Sequence, residues 1–285
     1  MKNVFFLFVF LTCLTTVSCQ TNNFFHKEDD YQSAGTFLHP EFKKYFDKYQ
    51  VDGSIAIYDN DKKTWILSDT EGVNMNTLPA STFKIINMLI ALETRAVASE
   101  DEVVAWPGIT DTVKYGYRPD IYHDISVKNA FEVSAGWTFI EIAKRIDRSC
   151  YKKYLEKSEY GNTDVSEEDV DFWNFGKLGI SPLSQVKLLK KLYDGNLPFS
   201  KKNMDIVKRV MITEQNPEYT IRSKTGWTMA NSINTGWWVG YIQTKDNVYF
   251  FATRLLQDRK NNRSNFGMAR KEITKMILRD LRIIK

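Results

Sequence analysis

The sequence predicts an α+β fold: an antiparallel sheet flanked by helices, with an all-helical lobe beside it. Three observations lead there. Residues 54–68 and 219–256 are rich in β-branched and aromatic residues broken by polar turns, the pattern of strands and hairpins. The interval from roughly 81 to 210 carries apolar residues at helical spacing, and the chain closes on one more such stretch. Strand-rich ends around a helical middle are satisfied by one sheet assembled from both ends, with the middle packed against it. The chain has 285 residues, 43% hydrophobic and 26% charged, enough for a well-cored domain.

In "SIAIYDNDKKTWILSD" two β-rich runs, 54–58 and 64–68, flank the polar cluster 59–63 and read as a hairpin. "VKNAFEVSAGWTFIEIAKRI" reads as helix. "SPLSQVKLLKKLYDG" does too, with Ser-Pro as a start signal and Asp-Gly as a stop. "YTIRSKTGWT" is a strand candidate, and "TGWWVGYIQTKDNVYFFATRLL" is a second hairpin turning at Lys245-Asp246-Asn247. "FGMARKEITKMILRDLRII" is the closing helix.

Residues 1–19 have the layout of a secretory signal: one basic residue, an apolar stretch over 4–11, then small polar residues. That stretch is too short to span a bilayer, and no other stretch approaches a span. Residues 20–285 are expected to form a single domain, exported to the periplasm. Cys19 in "TVSCQ" is either a lipid attachment point that tethers the protein to the membrane or a bystander to ordinary cleavage. With Cys13 inside the signal, Cys150 is the one cysteine in the body of the chain, so no internal disulfide framework is expected. In "RIDRSCYKKYL" it reads as a packed helix residue. The net charge of +4 is spread along the chain without a basic block, which argues against a nucleic-acid partner. His26, His39 and His123 are scattered, so no metal is implied.

The stretch "LPASTFKIINMLIAL" places Lys84 three residues after Ser81 inside an apolar run. Residues three apart share a helix face. A desolvated lysine loses proton affinity and becomes a base able to activate a serine hydroxyl. The competing reading has Lys84 reaching to solvent and Ser81 capping the helix. Ser-x-x-Lys also occurs at Ser149–Lys152 and Ser184–Lys187, where the lysines can face water. A second motif separates these readings. "KTG", Lys224-Thr225-Gly226, occurs once, on a predicted strand, and supplies a cation, a hydroxyl and a glycine that admits a close approach to the backbone.

Ser81-x-x-Lys84 followed far downstream by Lys224-Thr225-Gly226 resembles the penicillin-recognising serine enzymes. "VSAGWTF" over 133–139, "YGN" over 160–162 and "DFWNFGKLGISPLSQVKLLKKLY" narrow this to a resemblance to class D, oxacillinase-type, β-lactamases from about residue 50 onward. The resemblance implies a hydrolase that opens the β-lactam ring through a Ser81 acyl-enzyme. Lys84, carboxylated by carbon dioxide, would be the general base, and Trp173 would hold the carbamate. Ser134 would relay a proton to the lactam nitrogen, with Lys224 supplying positive potential. Thr225 and Arg270 would bind the substrate carboxylate, and the backbone N–H groups of Ser81 and Trp227 would form the oxyanion hole. Without the resemblance, Trp173 reads as core, Arg270 as a surface residue, "YGN" as a turn and Met229 as gap-filler. No cofactor beyond carbon dioxide or bicarbonate is implied. Where the family has Ser-x-Val, this chain has Ser134-Ala135-Gly136, leaving a gap over Lys84. The alternative function is a β-lactam sensor-like or penicillin-binding protein that is acylated and does not turn over.

Overall fold

The computed structural model describes residues 35–261 and 265–285. The expected signal, Cys13, Cys19 and His26 lie outside the described residues. In chain order the strands are β1 (Gly35–Leu38), β2 (Asp52–Asp59), β3 (Thr64–Leu67), β4 (Val103–Val104), β5 (Ile125–Ser126), β6 (Ile212–Gln215), β7 (Tyr219–Ala230), β8 (Ile233–Thr244) and β9 (Val248–Asp258). The α-helices are α1 (Lys43–Lys48), α2 (Lys84–Glu93), α3 (Thr112–Tyr115), α4 (Val127–Glu132), α5 (Gly136–Ala143), α6 (Arg148–Lys157), α7 (Phe172–Phe175), α8 (Pro182–Asp194), α9 (Lys201–Val210) and α10 (Phe266–Asp280).

Seven strands make one sheet in the order β1-β3-β2-β9-β8-β7-β6, so both ends of the chain meet in it as expected. Both hairpins fold at the anticipated turns. The sheet is not wholly antiparallel: β1 runs parallel to β3, with Gly35 opposite Thr64. The link between them passes through α1 and β2, which gives the length that a parallel crossover needs.

The sheet is covered on both faces, which is why its central strands read as continuous apolar runs. The period of two then sorts the side chains. Ala56 and Tyr58 of β2, Trp237, Val239 and Tyr241 of β8, and Phe250 and Ala252 of β9 join the core shared with the helical lobe. Their neighbours Ile55, Ile57, Trp238, Ile242, Phe251 and Leu255 join a second core under α1 and α10. Helix α2 is buried from Lys84 through Leu92, as its all-round apolar sequence requires.

Helix α8 starts and stops where the sequence signals. Ser181 Oγ accepts from Ser184 N at 3.2 Å, and Gly195 takes the left-handed conformation at φ +77°. Cys150 is buried on α6. One helical reading needs correction. Residues 127–146 form two helices, α4 and α5, because the chain turns sharply at Ser134, which holds φ +60°. Apolar periodicity runs through this break without marking it.

Candidate active site

Three side chains fix the turn that leads into α2. Trp237 Nε1 donates to Leu78 O at 2.9 Å, Thr82 Oγ1 donates to Pro79 O at 2.6 Å, and Gln185 Nε2 donates to Thr82 Oγ1 at 2.8 Å. Residues Ala80–Phe83 form a 3-10 turn, and Ala80 is held at φ +51°, a region L-residues seldom occupy. Pro79 stands just before this turn as its N-cap, and no side chain caps it. Ser81 is therefore not a cap. Its Oγ accepts a hydrogen bond from Lys84 Nζ at 2.8 Å.

Lys84 does not reach solvent: it is 1% exposed, with Nζ 5.2 Å from the centre of the Phe139 ring. Burial lowers its pKa to about 8, against the opposing pull of Asp171. By contrast, Lys152 and Lys187, from the other Ser-x-x-Lys pairs, are exposed.

Strand β7 brings the second motif to the same place. Lys224, also buried, donates from Nζ to Ser134 Oγ at 3.0 Å and to Thr225 O at 3.1 Å. Desolvation, with Lys84 and Arg270 nearby, holds its pKa well below the usual lysine value. The left-handed turn at Ser134 points its hydroxyl into this arrangement. Strain of this kind costs on the order of 1–3 kcal/mol and collects at functional sites. Gly226 is required by a close approach, and the approaching group is the chain itself. A Cβ there would lie 3.0 Å from Pro79 O and 3.2 Å from Thr82 N. The absent side chain lets β7 lie against the turn that carries Ser81.

Ser81, Ser134, Thr225, Gly226, Trp227 and Arg270 line one cavity of about 550 Å³, together with Gly136, Asn174 and Met229. That volume suits a small organic ligand. Trp227 is 44% exposed at its rim, and its Nε1 donates to Asn234 Oδ1 at 3.3 Å. Arg270 is not a surface residue. Its Nε donates to Gly267 O at 2.8 Å, its guanidinium also donates to Gly226 O, and burial lowers its pKa to about 10. Arg270 thus brings a cation to the cavity wall, with Lys224 buried behind Ser134, which suits an anionic ligand.

Trp173 packs against Phe83, the residue before Lys84, rather than lining the cavity wall. It is 1% exposed and stacks on Phe83 at 5.1 Å between ring centres, while its Nε1 is buried without a hydrogen-bond partner. It is core by packing, and its indole N–H is an unpaired buried donor on a ring stacked against the residue before Lys84. The "YGN" segment is a turn. Asn162 Oδ1 accepts from Gly179 N at 2.9 Å, which clamps the chain ahead of α8. His39 stacks on Phe42, and neither it nor His123 lines the cavity.

Sequence reasoning missed Asp171, Asn174 and Tyr115. Asp171 is 1% exposed, and its Oδ1 accepts from Asn174 Nδ2 at 2.7 Å. Burial raises its pKa to about 6, partly offset by Tyr115, Asn174 and Lys84. Asn174 also ties α7 to β7, since its carbonyl accepts from Thr228 Oγ1 at 2.7 Å. An aspartate after "EED" looks like one more surface acid. The one available signal was the apolar "FW" that follows it.

Residues 47–279 match the family model described as penicillin binding protein transpeptidase domain. The chain is 34% identical to beta-lactamase OXA-48 of Klebsiella pneumoniae over 84% of its length and 87% of that protein's. It is 29% identical to the regulatory protein BlaR1 of Bacillus licheniformis, over 82% of this chain and 38% of that one. Among solved structures, a class D beta-lactamase from Sebaldella termitidis superposes with TM-score 0.83 and 40% identity, over 89% of this chain and 100% of that one.

Proposed function

This chain belongs to the class D serine β-lactamase family, and on that premise we propose that it hydrolyses penicillins and related β-lactams through an acyl-enzyme on Ser81. The observation that carries the reading is the 2.8 Å contact between Ser81 Oγ and the buried amine of Lys84. A serine hydroxyl is a poor nucleophile until a neighbouring base removes its proton. Ser81 Oγ attacks the lactam carbonyl, and the oxyanion is held by the backbone N–H groups of Ser81 and Trp227. As the C–N bond breaks, the Ser134 hydroxyl gives its proton to the lactam nitrogen and takes one in return from Lys224 Nζ, which donates to it. Arg270 and Thr225 hold the substrate carboxylate. Water then attacks the ester, and Ser81 recovers its proton.

The residues around Lys84 fit an N-carboxylated lysine. Carboxylation needs a neutral amine in a dry site. Lys84 is buried with a lowered pKa, and Trp173 Nε1 is a buried donor with no partner. A carboxylate on Nζ would supply a proton acceptor that stays ionised at neutral pH, where an amine with a pKa of about 8 is mostly protonated, and it would serve both Ser81 and the hydrolytic water. The same reading has residues 1–19 exporting a single 20–285 domain and conferring β-lactam resistance, with Cys19 either lipidated or removed. Among the described residues no helix is long and apolar enough to cross a membrane.

The test is hydrolysis of a chromogenic β-lactam by catalytic amounts of protein, with and without bicarbonate. Many turnovers, rising with bicarbonate, are expected. One stoichiometric burst that stops in both conditions would replace the enzyme with a sensor-like acylated protein.

Gly136 supplies a second prediction. A Cβ there meets no atom within 4 Å, so a side chain at this position starts in open space. Gly136→Val narrows the cavity beside Ser134 and dries the approach to Lys84. The expected result is half-maximal activation at a lower bicarbonate concentration, together with slower release of the acyl-enzyme. A variant unchanged in both would remove any role for the missing side chain.

A further inference from the structure

Asp171 is a buried carboxylate that the reaction above does not use. It sits at the entry to α7, two residues before Trp173, and Asn174 Nδ2 holds one of its oxygens at 2.7 Å. Among the described residues it shares deep burial with one other carboxylate, Asp59, on the distant β2 hairpin. A lone buried carboxylate costs several kcal/mol unless it is paired or neutral. Here the groups facing it are Lys84, Lys114, Tyr115 and Asn174. Lys114 is already engaged by Asp169 at 2.6 Å. Lys84 in turn faces Ser81, the Phe139 ring, Asp171 and Lys224. The carboxylate and the amine are both buried, and the rings next to them in sequence pack together: Phe83, before Lys84, lies 5.3 Å from Phe172, after Asp171, and 5.1 Å from Trp173.

Carboxylation raises a proton-balance problem that this pairing answers. An ammonium must shed two protons to become a carbamate. One exposes the nitrogen lone pair, and one leaves as the N–C bond to carbon dioxide forms. If both went to solvent while Asp171 stayed ionised, the buried site would hold two negative charges, and a second buried charge of the same sign raises the pKa of one of the pair. Resting on the carboxylated-lysine reading, we propose that Asp171 is the seat for one of these protons and is a neutral acid whenever Lys84 is carboxylated. The step balances. Lys84 ammonium, Asp171 carboxylate and carbon dioxide give Lys84 carbamate, Asp171 carboxylic acid and one proton released to bulk. The buried site then holds one negative charge, on the lysine. Asp171 is a positioning residue: it sets the charge state of Lys84 without touching substrate. Its pKa, already raised by burial, agrees with a group near the point of protonation at neutral pH.

Infrared difference spectroscopy of the intact protein at pH 7, on adding labelled bicarbonate, tests this alongside carbon-13 NMR of the carbamate. The expected result is a protonated-carboxyl band that grows in step with the carbamate signal. Labelling aspartate with carbon-13 should shift the band, and Asp171→Asn should remove it. The labelled wild-type protein carries the test even if the variant folds poorly. A carbamate signal with no such band, or a band untouched in well-folded Asp171→Asn, overturns the role of Asp171 alone. No carbamate signal in the wild-type protein overturns the carboxylation reading, and this inference with it.

Discussion

Ser81→Ala is expected to lower β-lactam turnover by on the order of a thousandfold or more, the scale seen when a catalytic nucleophile is removed. The hydroxyl of Ser81 is the oxygen within hydrogen-bonding distance of Lys84 Nζ. The neighbouring cavity hydroxyl of Ser134 is bonded to Lys224. It cannot take over without leaving that lysine and moving off its strained turn. The substitution should leave the fold intact. The turn is held by Trp237, Thr82 and Gln185 rather than by the serine side chain. Binding should survive as well, because Arg270 and Thr225 are untouched. Intact mass after mixing with a β-lactam separates the outcomes. Wild-type protein should show an adduct of one opened antibiotic per chain, and Ser81→Ala should show none. An adduct on the alanine variant would move the nucleophile elsewhere.

The parts of this site that were legible in the sequence are those where chemistry conflicts with its surroundings. Lys84 in an apolar helix stood out because burying an amine is costly, and the structure buries it. Lys224-Thr225-Gly226 stood out because a cation and a glycine are poor strand interior residues, and both meet the head of α2. The sheet was legible for a related reason. Turn residues break its apolar runs, and alternation divides them between two cores. What was not legible depends on tertiary contact. The break at Ser134 is imposed by the positive φ that aims its hydroxyl at Lys224, and the apolar period passes over it. The parallel edge strand β1 depends on where α1 packs. Asp171 gives little local sign of burial, since it follows the acidic run 167–169 and only the apolar Phe172-Trp173 after it hints otherwise. The need for Gly226 was legible, but the backbone pressed against it belongs to the Ser81 turn.

Lys84→Met should abolish turnover and at the same time make the protein more stable. Function is lost because nothing else within reach of Ser81 Oγ accepts its proton. Lys224 serves Ser134, and Asp171 is bonded to Asn174 on the α7 side. Stability follows from the folded pKa of about 8 against 10.5 for a lysine in water. Below pH 8 folding must carry a buried ammonium out of water. The shift corresponds to about 3 kcal/mol of destabilisation, taking 1.36 kcal/mol per pH unit. Between pH 8 and 10.5 the unfolded chain still binds the proton that the folded chain has lost, so wild-type stability rises with pH there. Methionine has similar length, no charge and a flexible fit to the Phe139 face. Asp171, deprived of its cation, moves closer to neutral at pH 7, which limits the cost of leaving it alone. Urea unfolding in carbon dioxide-free buffer should therefore show Lys84→Met ahead by up to about 3 kcal/mol at pH 7, with the gap closing toward pH 10. Added bicarbonate should raise the stability of the wild-type protein and leave the variant unchanged, because a ligand that binds only the folded state stabilises it. A variant less stable than wild type at pH 7 without bicarbonate would mean that the amine is well solvated or paired in place. The neutral lysine that both the general-base role and carboxylation require would then have no physical source.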